Sequence, residues 1–182
     1  MMEELSLNIL DIAQNSIAAE ASLVRVEIEE NDADDTLTIR IADDGKGMDG
    51  ELLKTVESPF VTTRTTRKIG LGISFLKEAA ELAGGSFKLE SAPGRGTTVT
   101  AVFTKSHIDR QPMGDLPGTM TALISLNPGV DFHLRYAAGE NEFLFTTQEV
   151  REILGEGYSP DHPSVAAFLT EYIKEQIDSI SN

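Results

Sequence analysis

The 182-residue chain contains no cysteine and no tryptophan. Without cysteine there is no disulfide frame, no thiol nucleophile and no cysteine-ligated zinc or iron–sulfur centre. Stability must therefore come from an apolar core. Basic residues are scarce as well: 15 Lys plus Arg stand against 30 Asp plus Glu, a formal charge of -15. Most of such a surface repels a phosphate backbone, which disfavours general DNA or RNA binding. Long apolar runs are missing too, since none approaches the ~20 residues that span a membrane. The start, Met1-Met2-Glu3-Glu4, is acidic where a secretory signal is basic. A cytoplasmic chain without a membrane segment is the expectation. With 40% hydrophobic residues, the length fits one compact domain, or one domain with an appendage.

Periodicity predicts a helix over residues 3 to 21, with Leu5, Ile9 and Ile12 on one side and Leu7, Leu10 and Ile17 on another. At about 100° per residue, Glu4, Asn8, Asp11 and Asn15 share a stripe roughly 60° wide. This reads either as a buried helix facing a polar cavity or as a surface helix turned to water. Alternation over 23 to 30 and 36 to 42 predicts a hairpin around the acidic turn Asn31-Asp32-Ala33-Asp34-Asp35. That turn lacks the glycine and glutamate of a calcium loop and reads as a solvated turn. After a loop, a helix from about Leu71 to Ala83 stops at Gly84-Gly85, and a second hairpin joins Ser86–Ser91 to Thr97–Phe103. Helices grouped against a mostly antiparallel sheet make an α+β fold, a two-layer α/β sandwich.

Residues 105 to 118 hold two prolines and two glycines and read as a linker. Beyond it, 119 to 182 form a C-terminal α/β extension of helix, hairpin and helix. Leu116, Met120, Leu123 and Ile124 have helical spacing, and Val130 to Tyr136 with Phe143 and Phe145 form a hairpin around Gly139. Thr146 and Glu149 have capping-box spacing, and a last helix covers about 163 to 180. Whether this tail is a separate unit or extends the first sheet is open at this point.

Three segments carry chemistry. Asp43-Asp44-Gly45-Lys46-Gly47-Met48 follows a strand directly: its glycines let the backbone turn sharply beside a ligand, while a carboxylate accepts from an exocyclic amine. Lys68-Ile69-Gly70-Leu71-Gly72 opens the second long helix, where unpaired N–H groups and the helix dipole favour an anion. It is not a Rossmann fingerprint, and the chain has no Walker A sequence. Between them, Arg64, Arg67 and Lys68 place three of the fifteen basic residues within five positions, the character of a phosphate-facing lid or a solvated loop.

Asp11-Ile12-Ala13-Gln14-Asn15, Asp43-x-Gly45-x-Gly47, Gly70-Leu71-Gly72 and Gly94-Arg95-Gly96-Thr97 resemble, in order and spacing, the GHKL superfamily of ATP-binding domains of gyrase, Hsp90, histidine-kinase and MutL type. The resemblance covers roughly residues 3 to 104. It implies the Bergerat sandwich over residues 1 to 104, with ATP and Mg²⁺ as ligands. It places Asn15 on the metal, and Asp43 on the adenine amino group, directly and through a water also held by Thr97. Gly45, Gly47 and Met48 would flank the base. Gly70, Leu71 and Gly72 would meet the phosphates, with Lys68 beside the last of them, and Phe60 after Pro59 resembles the aromatic that hinges the kinase lid.

Two residues depart from the pattern. The position four before Asn15 is a glutamate general base in the hydrolysing branches and is Asp11 here, so turnover, if any, is expected to be slow. Lys68 stands where the lid motif has its first glycine. No phosphoacceptor-histidine module is expected ahead of the Asn15 helix, and His107, His133 and His162 read as surface residues. The implied function is a stand-alone Mg-ATP-dependent regulator of histidine-kinase-like or anti-sigma-like type, a slow ATPase or protein kinase with Asp11 catalytic. The alternative is a module that binds ATP without hydrolysing it and gates a protein partner. A protein partner or substrate, and self-association as a homodimer, are compatible with both.

Overall fold

The computed structural model describes residues 3–57, 71–157 and 159–181. Among these residues twelve elements follow one another: α1 (Leu5–Ala18), β1 (Leu23–Asn31), β2 (Thr36–Asp43), α2 (Gly50–Glu57), α3 (Leu71–Leu82), β3 (Ser86–Ser91), β4 (Thr97–Thr104), α4 (Leu116–Leu126), β5 (Asp131–Ala138), β6 (Asn141–Thr146), α5 (Thr147–Leu154) and α6 (Pro163–Ile180). The strands form one sheet in the order β3-β4-β2-β1-β5-β6. Every neighbouring pair is antiparallel except β1 and β5. This is the expected two-layer sandwich. The helix α2 falls in a stretch where the sequence predicts a loop.

Strand alternation decides which side the helices occupy. Val24, Val26 and Ile28 of β1, Leu37, Ile39 and Ile41 of β2, and Val99, Ala101 and Phe103 of β4 are buried. They form one continuous core with Leu5, Ile9 and Ile12 of α1 and with Ile73 and Leu76 of α3. The intervening residues turn to the open face, where Arg40 pairs with Glu27 at 3.1 Å and Arg135 with Glu29 at 3.2 Å. Period two on the strands and 3.6 on the helices thus converge on a single core.

The tail joins the same sheet. Parallel pairing sets Val24 beside Phe132 and Ile28 beside Tyr136, and α4, packed against both α1 and α6, makes the crossover that a parallel pair requires. Phe132, Leu134, Met120, Leu123, Leu169 and Ile173 belong to the core already described. The stretch after β4 is closely held. Leu5 and Ser6 donate their N–H groups to the carbonyls of Pro112 and Met113, and the Glu4 carboxylate accepts from Asp115 N at 3.0 Å. In the acidic turn, Asp35 takes hydrogen bonds from Ser106 N and Oγ, and Lys105 lies 2.7 Å from Glu30 and 2.6 Å from Asp32. The helix α4 starts inside the 105–118 stretch, at Leu116, with Asp115 capping Gly118 N at 2.9 Å.

Candidate functional site

A cavity opens between α1, the loop after β2, the start of α3 and the first residues of β4. Ile12, Ile41, Met48, Leu52, Ile73 and Val99 give it apolar walls; Asn15, Ser16, Asp43, Lys46 and Thr97 supply polar atoms. Asp43 is there because it ends β2 one strand period beyond buried Ile41, so its side chain points into the helical layer. Both oxygens are held: Oδ1 accepts from Gly45 N at 2.9 Å and Thr97 N at 3.2 Å, and Oδ2 from Ser16 Oγ at 2.6 Å. A carboxylate with three donors cannot swing, yet its remaining lone pairs are acceptors aimed at the cavity.

The glycines bring backbone together around it. Gly47 has φ +68°, and a Cβ there would stand 2.0 Å from the Ala92 carbonyl; Gly96 has φ +78°, and a Cβ would meet the Asp43 carbonyl at 1.9 Å. Only a residue without a side chain lets the two turns pack so closely. Asp44, next to Asp43, faces outward and ties the strand end to the α1–β1 turn by accepting from Ser22 and Leu23. Burial alone would raise its pKa; the hydrogen bonds from Ser22 and Leu23 outweigh that and hold it below the usual carboxylate range.

The stripe Glu4, Asn8, Asp11 and Asn15 splits along α1. Glu4 serves the segment before α4. Asn8 is fully buried, its amide nitrogen 3.4 Å from both Glu4 O and Gln111 Oε1, while its Oδ1 has no hydrogen-bond partner among the described residues. That orphan acceptor lies one turn before Asp11, where a water would satisfy it. Asp11 turns toward α3: a Cβ on Gly72 would fall 2.0 Å from Asp11 Oδ2, so the bareness of Gly72 makes room for this carboxylate. Burial raises the Asp11 pKa above its ordinary value. One turn further on, Asn15 lines the cavity.

The structure thus brings Asn15, Asp43, Gly47, Met48 and Thr97 to one cavity, with Asp11 and Gly72 in contact beside it. Gly45 is buried with its N–H on Asp43, Leu71 is half exposed, and neither is among the lining residues. Lys68, Gly70 and Phe60 lie outside the described residues. Sequence reading missed Ser16 and Ser91. Ser16 falls on the apolar side of α1, a turn after Ile12, and a hydroxyl at such a position needs a partner inside. Ser91 pairs directly with Thr97, as the predicted hairpin already implied.

The donor set suits a magnesium nucleotide. Among the described residues no group of three His, Cys, Asp or Glu is placed to cage a metal. A magnesium ion held chiefly by phosphate and water needs only one or two protein oxygens, and the Asn15 side chain offers one. Apolar walls with one fixed carboxylate suit a flat base bearing an amine.

Residues 1–107 match the family model described as histidine kinase-, DNA gyrase B-, and HSP90-like ATPase. The chain belongs to this family. It is 31% identical over 99 residues to the sensor histidine kinase ZraS of Klebsiella oxytoca, covering 54% of this chain and 21% of the relative. It is 33% identical over 98 residues to sporulation kinase D of Bacillus subtilis (strain 168), covering 54% and 19%. The aligned region spans about a fifth of these curated relatives. Among solved structures, the N-terminal domain of a DNA repair protein superposes with a TM-score of 0.52 at 14% identity, over 86% of this chain and 58% of that one, a likeness of fold. Among the described residues no helix is long and apolar enough to cross a membrane.

Proposed function

We propose that the cavity binds ATP with Mg²⁺ and that the protein is a slow ATPase whose nucleotide state is read by a protein partner. One observation carries the reading: a carboxylate immobilised by three donors at the end of β2, inside an apolar cleft that the Asn15 amide also lines. In this reading Asp43 accepts from the adenine amine, Met48 and Ile73 pack on the base, and Asn15 holds the metal. Leu71 and Gly72, at the start of α3, contact the phosphates. Bound Mg-ATP supplies the transferable phosphoryl group. Asp11 takes the proton from the attacking water, and its raised pKa makes it a stronger base than an exposed aspartate. Its shorter side chain keeps the rate low.

The partner is a protein. The charge of -15 opposes nucleic acid, and the cytoplasm is the proposed compartment because it supplies ATP. The test is a single turnover with γ-labelled ATP and Mg²⁺, protein in excess, following free phosphate, ADP and protein-bound label over hours. Phosphate release that disappears in Asp11→Asn is expected. ATP bound but unchanged after hours would remove the hydrolytic step, and no binding at all would remove the whole reading.

A further inference from the structure

Ser91, Thr97 and Asp43 stand side by side on three adjacent strands: β3 pairs Ser91 with Thr97, and β4 pairs Thr97 with Asp43. All three lie one strand period beyond buried core residues, Leu89, Val99 and Ile41, so their side chains share the helical side of the sheet. Ser91 is the hub of the row. Its Oγ is 2.8 Å from Met48 N, 2.9 Å from Gly96 O and 2.9 Å from Thr97 Oγ1.

The roles at this hub are set by chemistry. An amide N–H only donates and a backbone carbonyl only accepts, whereas a serine hydroxyl has one proton and two lone pairs. Met48 N takes one lone pair of Ser91. Gly96 O takes its only proton. The second lone pair is left for Thr97, so satisfying all three contacts requires the Thr97 hydroxyl to donate to Ser91. The Thr97 proton then points away from the cavity and only its lone pairs face inward. The Asp43 carboxylate likewise offers only lone pairs, and the hydrogen bonds it accepts from Ser16 Oγ, Gly45 N and Thr97 N hold it in place.

We infer that Ser91 is a specificity-determining residue of this cleft. By fixing the direction of the Thr97 hydroxyl, it makes the end of the pocket a pure acceptor surface that takes a purine carrying an exocyclic amine and rejects one carrying a carbonyl at the same place. A water shared by Asp43 and Thr97 gives both of its protons to the protein and keeps a lone pair for the ligand, so the demand for a ligand donor passes through it unchanged. Ser91 touches no ligand and acts through Thr97. The inference rests on the cleft being a nucleotide site.

The test measures the binding of ATP and of ITP, whose base has a carbonyl in place of the amine, to the full chain with Mg²⁺ by calorimetry. The quantity read is the ratio of the two dissociation constants. In Ser91→Ala the Thr97 hydroxyl is released and can donate to the carbonyl, so preference for ATP falls about fivefold, the worth of one neutral hydrogen bond. Ser91→Cys, nearly isosteric but a poor acceptor, shifts the ratio the same way and serves if the alanine variant folds badly. Ser91→Thr keeps the hydroxyl and the wild-type ratio. A purely structural role would weaken both nucleotides together. An unchanged ratio in both the alanine and cysteine variants, with ATP still bound, overturns the assignment of Ser91 alone. Wild-type protein that binds neither nucleotide overturns this inference together with the nucleotide reading.

Discussion

Gly72→Ala separates catalysis from stability. The added Cβ would stand 2.0 Å from Asp11 Oδ2, 2.8 Å from its Cγ and 3.0 Å from its Cβ, while real Cβ contacts essentially never fall below 3.0 Å. The carboxylate must therefore withdraw by about 1 Å, and because it is the far end of a side chain with two free torsions, rotation relieves most of the clash. Gly72 sits in the first turn of α3, where alanine gains up to about 1 kcal/mol of helix propensity over glycine. The two effects oppose each other, so the melting temperature should move by no more than a few degrees. The chemistry has no such compensation, since a base displaced by about 1 Å costs on the order of a hundredfold in rate. The assay pairs thermal melting with single-turnover phosphate release at saturating ATP. Phosphate release within twofold of wild type, in a variant that melts normally, would refute the contact between Asp11 and Gly72 as the element that positions the base.

Four further outcomes follow from contacts elsewhere in the molecule. Asp11→Asn should abolish phosphate release and raise the melting temperature at neutral pH. Burial raises the folded pKa of this carboxyl, so its charged form costs stability above the ordinary carboxylate range, and the gain should vanish as the medium is acidified; equal melting shifts at pH 7 and in acid would contradict this. Ser16→Ala removes the 2.6 Å hydrogen bond to Asp43 and should weaken ATP binding about tenfold, measured by titration calorimetry. Lys105→Met should lower stability by about 1 kcal/mol near neutrality, read from urea denaturation. Burial would raise the Glu30 pKa, but hydrogen bonds from Lys105 and Tyr136 and the Lys105 charge depress it, so this contribution exists above the ordinary carboxylate range and fades as pH falls below it. Gly47→Ala, with a positive φ and a backbone carbonyl 2.0 Å from the new methyl, should cost about 2 kcal/mol or more and reduce nucleotide binding, the first read by urea denaturation and the second by titration calorimetry.

Local elements were legible because their causes are local. Strict alternation and turn chemistry placed β1 to β4 within a residue or so of their observed ends, and Gly84, with φ +70°, stopped α3 where a left-handed residue was needed. The helix α2 was not legible: with Gly50 at its start and an apolar content limited to Leu52, Leu53 and Val56, it repeats the helical period too few times to stand out from a loop. In the site, Asn15 and Asp43 could be read from motif spacing. The hydroxyls of Ser16 and Ser91 could not, because what they do depends on which donor and acceptor lie opposite them in space.

The tail shows where such reading ends. Its helices and hairpin were visible one by one, yet Phe132, Leu134 and Tyr136 alternate as well for an independent hairpin as for a strand beside β1. What decides is a pairing across more than a hundred residues, Val24 beside Phe132 and Ile28 beside Tyr136, and no local period encodes a partner. One trace of that pairing is present in hindsight. Tyr136 hydrogen-bonds Glu30, and Lys105 bonds the same carboxylate, so the end of β1, the start of the stretch leading to α4 and β5 share one half-buried acceptor. A glutamate closing an apolar strand, a lysine just after the fourth strand and a tyrosine on a buried face are each unremarkable in sequence. Placed together they satisfy one another, and this mutual satisfaction joins the tail to the sheet that carries Asp43.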